Sequence, residues 1–569
     1  MGIPRFFRYI SNQFPNTYQQ SSFNKGFPSK YNIDNLYLDA NGIIHNAVRE
    51  VYFPKKNKFR PRLTPRQINP ETQVFELITN YIDNLLHFVK PTKLFFIAID
   101  GPAPLAKQAQ QRQRRYKAAD TKTQEELAVF DSTAITPGTE FMYNLSKYIQ
   151  YYIKKSMTEK NNWSCINVIF SGSDVPGEGE HKIVDFIRNT TNKYSLTHCM
   201  YGLDADLFML SLATHCDKFY LLREDQFNTS WNDTFFYIVD IGQLRNEIEN
   251  QWGSITSNKV NLINDFIFIC FLIGNDFLHA LPPFYDLEYN INFIMDLHKQ
   301  VLQENYITKT NNSFNLNNFI LLLSHLQKIE ESSIASQFYK SGFPNITLNN
   351  SLKDQSNPSK GIYFEKYRNL YYKKIGIDSN NKEQVWTLCK NYLEGLDWVN
   401  YYYHNYPNNW LWFYPYHYSP LIVDLLDFLN NSTLTLTRVS QTETKKILPF
   451  QQLLCVVPPK SKHLLPKFLQ PLYYSEELKE FYPEHYEIDC EGKTAEWECI
   501  ALLPFIDFEK IETMYDKTFN IAKTTGMEIN EKRNIVSQSI QMFIDYNKKY
   551  TFKSSYGIIN NCRVNLKYL

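Results

Sequence analysis

Residues 93–120 read KLFFIAIDGPAPLAKQAQQRQRRYKAAD. The stretch opens on an apolar run of the kind found in a strand covered on both faces. It reaches Asp100, turns through Gly101 and Pro102, and continues into strong helix formers. Strand, tight turn and helix in that order make one step of an α/β fold. Similar apolar runs stand at 36–38, 166–170 and 199–203, each followed by a polar or glycine-containing turn and a helix-like segment. From about residue 35 to 290 the chain therefore predicts an α/β domain with a largely parallel sheet and flanking helices.

In such sheets ligands collect beyond the carboxyl ends of the parallel strands, where loops converge and helix N-termini point inward. Carboxylates recur there. Asp39 follows 36–38, Asp100 follows 93–99, Glu178 and Glu180 lie in the glycine-containing stretch 176–180, and Asp204 and Asp206 follow 199–203. Asp276 stands after an apolar helical segment. Any one of these could be an ordinary helix cap or turn residue. Seven carboxylates converging on one edge would repel one another unless divalent cations neutralised them, and hard oxygen donors select Mg²⁺ or Mn²⁺. The expectation is a metal site for two ions and phosphodiester hydrolysis by a two-metal mechanism.

Basic residues lie directly beyond Asp100. Residues 107–117 carry five positive charges with no acid before Asp120. On a helix, Lys107, Gln111, Arg114 and Arg115 fall on one face, whereas Arg112 points elsewhere. Guanidinium forks match phosphate geometry, so that face is a candidate clamp for a terminal phosphate, although a solvated charged face would read the same way. His45 and the rings of 398–418, Trp410 first and Trp412 in reserve, are candidates for stacking on bases; most of those rings should be core.

The formal net charge is +1, so a nucleic-acid site has to gather its positive charge locally. Nine cysteines include no C-x-x-C pair, which argues against a zinc site and a disulfide framework and predicts reduced thiols. No run of 18 apolar residues occurs and no signal-peptide core is visible, so a soluble, unexported protein without membrane association is expected.

Several motifs resemble the Xrn-type 5′-to-3′ exoribonuclease family. They are MGIPRFFR at 1–8, LDANGIIHN at 38–46, IDGPAP at 99–104 running into the basic helix, TPGT at 136–139, 175–181, 202–210 and GNDF at 274–277. In the second half, EGL at 394–396, FYPYHY at 413–418 and LLPFID at 502–507 continue the series. The resemblance implies that Asp39, Asp100, Glu178, Glu180, Asp204, Asp206 and Asp276 are catalytic metal ligands. It also implies that Lys107, Gln111, Arg114 and Arg115 hold a 5′-phosphate, and that His45 and a tryptophan stack on a base near the scissile bond. It further implies a processive enzyme that cuts 5′-monophosphorylated single-stranded RNA to mononucleotides. Residues 1–300 would be the first conserved region, 301–360 a polar linker, and 361–569 a mostly helical second region packed on the first and walling the channel. A cytoplasmic monomer involved in RNA decay is expected, with a nuclear location left open. A flap-type or 5′ DNA exonuclease, and a catalytically silent RNA-binding scaffold, are the competing readings; the scaffold would require the loss of carboxylates that are all present.

Overall fold

The computed structural model describes residues 6–54, 69–225, 234–254, 258–284, 287–303, 305–309, 313–340, 342–432 and 437–569. The first five residues of the amino-terminal motif, and Asn311 and Asn312 of the polar stretch, lie outside the described residues.

Seven strands come from the first half: β1 (Tyr18–Ser22), β2 (Asn35–Asp39), β3 (Leu94–Ala98), β4 (Asn167–Ser171), β5 (His198–Tyr201), β6 (Phe219–Glu224) and β7 (Phe235–Asp240). Among the described residues the main sheet runs β1-β7-β6-β5-β2-β3-β4, followed by Ile540–Ile544 and Val564–Tyr568. Its centre, from β6 through β5, β2 and β3 to β4, is parallel, and both edges are antiparallel. The fold is α/β, as the alternation predicts.

The period-two alternation of side chains divides the interior into two layers. Tyr37, Phe96, Ile169 and Met200 point into one core, together with the helices Gly179–Asn189, Lys259–Leu272 and Lys382–His404. Leu36, Leu38, Phe95, Ile97, Val168 and Phe170 point into the other, against Asn41–Tyr52, Pro70–Val89 and Glu140–Glu159. Both faces of the central strands are thus covered, which is why those strands read as unbroken apolar runs. The chain passes from β2 to β3 to β4 in one direction and then returns to place β5 on the other side of β2. That reversal opens a crevice at the carboxyl ends of β2 and β5.

Three features differ from the expectations. First, the described residues of 301–360 are packed structure and not a polar linker. It holds the helix Leu316–Ser336, whose Phe319, Leu322, Leu323, Leu326 and Ile334 join the larger core. Asparagines around that stripe hide it in the sequence. Buried Glu330 on the same helix accepts the backbone N–H groups of Ile422 (2.6 Å) and Val423 (2.9 Å) at the start of helix Ile422–Asn431. Second, the mostly helical second region ends by returning to the sheet through Ile540–Ile544, which pairs with β4. Third, Cys490 and Cys499 form a disulfide. The short antiparallel pair Ile488–Asp489 and Ile500–Ala501 places the two cysteines opposite each other, with Cα atoms 4.4 Å apart, a pairing that motif spacing does not reveal. The other seven cysteines are free thiols.

Burial pushes the Glu330 carboxyl up to about 7, with Asp424 adding to the shift against the two backbone donors. A carboxyl raised in the folded state binds more protons there than in the unfolded chain, so its contribution to stability declines as pH rises from about 4.5 to about 7. Glu330→Gln should remove that decline, a difference of up to about 3 kcal/mol across the window. Urea titrations at several pH values check it, and parallel wild-type and variant curves would refute it.

Candidate active site

The carboxylates assemble at the crevice. Asp39 ends β2, and Asp100 stands just beyond β3. Glu178 and Glu180 lie at the start of helix Gly179–Asn189, beyond β4; Asp204 and Asp206 lie between β5 and helix Leu207–Leu212. Carboxylate oxygens of Asp39, Asp100 and Glu180 fall within 4.8 Å of one another, as do ligand atoms of Glu178, Glu180 and His181. Asp276 follows the buried helix Lys259–Leu272 by way of Gly274, which turns the chain at φ +101°.

The glycines in these motifs permit close approach. A Cβ on Gly101 would lie 1.7 Å from the Val175 carbonyl, because the loops after β3 and β4 cross there. The crossing is closed by backbone hydrogen bonds from Gly101 to Gly177 (2.9 Å) and from Gly177 to Pro102 (2.8 Å). The Gly179 N–H donates to Asp100 Oδ1 at 2.7 Å, at the positive end of a helix. Lys182 gathers the same loops by donating to the carbonyls of Ile99, Gly172 and Val175, and burial pushes its amine down to about 8. Arg223 holds the fourth loop through the carbonyls of Leu203 and Asp204.

Packing so many acids together has the electrostatic result that Coulomb's law requires. Burial, then Asp100 and Asp204, push Asp39 well above the usual carboxylate range. Glu180 is raised in the same way by burial, Glu178 and Asp39. Asp206, 2% exposed, is raised mainly by burial, and its Oδ1 has no hydrogen-bond partner among the described residues. A buried acceptor without a donor, inside a set of hard oxygen ligands, fits a divalent cation. Among the described residues, Asp39, Asp100 and Glu180, and likewise Glu178, Glu180 and His181, bring ligand atoms close enough to share an ion, with Asp204, Asp206 and Asp276 beside them.

Lys107 departs from its expected place in the phosphate clamp. Its buried ammonium pairs with Glu178 and, at 2.7 Å, with Asp276. These partners keep Lys107 charged against burial, and Lys107 in turn holds Asp276 below the usual carboxylate range. The cause is position: Lys107 occupies the first turn of helix Leu105–Asp120, directly beyond the Asp100 loop, and a buried ammonium requires a partner.

Gln111, Arg114 and Arg115 follow on that helix. Arg114 is exposed, and Arg115 donates to Gln111 Oε1 at 3.1 Å. Burial and the neighbouring Arg114 push Arg115 down to about 9, so two guanidinium groups stand together in a place that an anion would relieve. Arg112 points away, as the helical spacing predicts; it donates to the carbonyls of Cys455 (3.3 Å) and Phe481 and lies over Tyr116.

His45 reaches solvent beside these arginines, and its imidazole is pushed down to about 4 by the surrounding protein and by Arg114 and Arg115. Trp410, 2% exposed, differs from its expected role: its ring packs near Tyr406, and its carbonyl accepts the Leu105 N–H at the start of the basic helix. Trp412 stacks on Trp398. Both indoles are buried against other rings of the second region, so neither offers an open face to a base.

Some residues that shape the site escape sequence reasoning. Tyr402 donates to Glu178 Oε1 at 2.8 Å and stacks on His181 at 3.8 Å. It comes from helix Lys382–His404, so its only signal in the sequence is a dense aromatic run. Tyr402→Phe should cut activity roughly 10-fold and raise the Mg²⁺ concentration needed for half-maximal rate, the effect expected of removing a partner from Glu178 if that carboxylate holds an ion. Unchanged Mg²⁺ dependence would contradict that role.

Comparison with known proteins places the chain among named families. The family described as XRN 5′-3′ exonuclease N-terminus matches residues 1–225, and the Xrn1 helical domain matches 257–359 and 348–565. A Saccharomyces cerevisiae protein named 5′-3′ exoribonuclease 1 is 30% identical over 90% of this chain and 43% of its own length. The human protein of the same name is 30% identical over 97% of this chain and 36% of its own length. The chain thus spans less than half the length of these relatives. Among solved structures, the catalytic core of Rad2 in complex with DNA substrate aligns at TM-score 0.32 and 14% identity, covering 67% of this chain and 98% of that one.

Proposed function

The chain belongs to the XRN 5′-3′ exonuclease family, and from that premise we propose that it is a processive 5′-to-3′ exoribonuclease acting on 5′-monophosphorylated single-stranded RNA. The observation that carries this reading is the placement of Gln111, Arg114 and Arg115 on the helix that begins just after Asp100, with Lys107 on the same helix reaching into the acidic cluster. A terminal phosphate held by the arginines would put the first phosphodiester beside the carboxylates. Two Mg²⁺ or Mn²⁺ ions, when bound, would supply charge stabilisation for the attacking and leaving oxygens. Asp39, Asp100, Glu178, Glu180, Asp204, Asp206 and Asp276 would hold them. Lys107 adds a positive charge near the scissile phosphate, and His45 offers a ring at the pocket mouth for a base.

Each cut exposes a new 5′-phosphate, which the same arginines can take, and that recurrence supports processive release of mononucleotides. The second region backs the basic helix through Arg112 and through Lys117, whose ammonium donates to the Cys499 carbonyl at 2.7 Å. The test is incubation of uniformly labelled 5′-monophosphate RNA with and without Mg²⁺. Mononucleotides only with the cation support the reading, and equal release in EDTA refutes it.

A further inference from the structure

Gln111 is the neutral member of the phosphate-facing set, and an amide can present either an acceptor or two donors. Which end faces the ligand decides whether Gln111 attracts or repels an anion. Buried Gln452, from helix Pro449–Val456 of the second region, settles the orientation through two hydrogen bonds. Its Oε1 accepts the Ala103 N–H at 2.8 Å. A backbone N–H can only donate, so the amide nitrogen of Gln452 must point the other way, and Nε2 donates to Gln111 Oε1 at 3.3 Å. Arg115 donates to the same oxygen at 3.1 Å. With its oxygen engaged by two donors, Gln111 keeps Nε2 as a donor that has no acceptor among the described residues.

We propose that Gln452 is a positioning residue for recognition of the RNA 5′ end: it fixes the Gln111 amide so that its NH₂, and not its carbonyl, faces the terminal phosphate. The inference rests on reading the basic helix as the 5′-phosphate pocket. It also assigns work to the second region beyond walling the channel, because polarity is relayed from the Ala103 backbone, just past Asp100, through Gln452 to the phosphate-facing group. Helix Pro449–Val456 is itself docked close to the first region, since a Cβ on Gly138 would meet Pro449 at 3.0 Å.

Gln452→Glu keeps the acceptor for Ala103 and turns the donor into an acceptor, so Gln111 must flip and offer its carbonyl to the phosphate. Gln452→Met keeps the volume, removes both bonds and frees the amide to rotate. The experiment measures kcat/KM on matched RNAs bearing a 5′-phosphate or a 5′-hydroxyl for wild type, both Gln452 variants, Gln111→Ala, and Gln111→Ala combined with Gln452→Glu. The preference for 5′-phosphate should fall roughly 10- to 100-fold in Gln452→Glu, the range for a hydrogen bond to a charged group, and less in Gln452→Met. In the Gln111→Ala background, Gln452→Glu should change the preference no further, whereas a merely structural role would persist there. If Gln111→Ala lowers the preference while both Gln452 variants leave it intact, or if Gln452→Glu acts equally in both backgrounds, the proposal is overturned alone. If Gln111→Ala leaves the preference intact, the pocket reading falls and the proposal falls with it.

Discussion

Replacing Asp206 by alanine is expected to lower RNA hydrolysis at saturating Mg²⁺ by a factor of about 10² to 10³ or more, the range for removing one source of transition-state charge stabilisation. The expectation follows from the Oδ1 of Asp206, buried without a hydrogen-bond donor among the described residues, in a cluster where burial raises Asp206, Asp39 and Glu180. Such an atom is costly to maintain unless a cation takes it. Removing it should relieve repulsion, so the variant without metal should melt at the same temperature as wild type or higher. The rise in melting temperature on adding Mn²⁺ should shrink in parallel with activity. Asp206→Asn, which keeps the volume and loses the charge, should behave like the alanine variant. Near wild-type turnover in either variant would remove Asp206 from the catalytic set.

The second large effect concerns the 5′ end. Arg114→Ala should lower kcat/KM on 5′-phosphate RNA by about 10- to 100-fold, equivalent to about 1.5–3 kcal/mol for a charge-assisted hydrogen bond, and should narrow the advantage over 5′-hydroxyl RNA. Arg114 is exposed and adds to the unfavourable burial of the Arg115 charge, which a phosphate between them would offset. Arg112→Ala, on another face of the same helix, should act on stability instead, because its guanidinium joins the helix to the Cys455 and Phe481 carbonyls. Measurement of both variants on matched RNAs separates the two roles. An Arg114 variant equally impaired on both ends would contradict the pocket.

The central sheet and the acidic edge were legible because both obey local rules. Strands covered on both faces must be apolar throughout, and an acid beyond each of several such runs marks the ligand edge from residue order alone. The helical spacing that separated Arg112 from Gln111, Arg114 and Arg115 was legible for the same reason. What stayed hidden depends on contacts distant in sequence. Lys107 reads as a phosphate ligand until Asp276, 169 positions away, is seen to pair with it. Trp410 reads as a candidate for base stacking until its ring is found buried beside Tyr406. The helix Leu316–Ser336 was masked by the asparagines that precede and open it, and the Cys490–Cys499 bridge by a two-residue strand pair too short to carry a periodic signal. Gln452 and Tyr402 carry no motif at all; only the packing of the second region on the first gives them a role.

Direction and metal dependence of degradation bear most directly on the exoribonuclease reading. RNA with a 5′-monophosphate, labelled in separate samples at its 5′ and 3′ ends, should be followed in Mg²⁺ and in EDTA, alongside a circular RNA of the same sequence. On that reading the 5′ label appears at once as mononucleotide, the 3′ label stays in full-length RNA or in the last short product, the circle survives, and EDTA stops all of it. Early release of the 3′ label, cuts within the circle, or undiminished degradation in EDTA would contradict it.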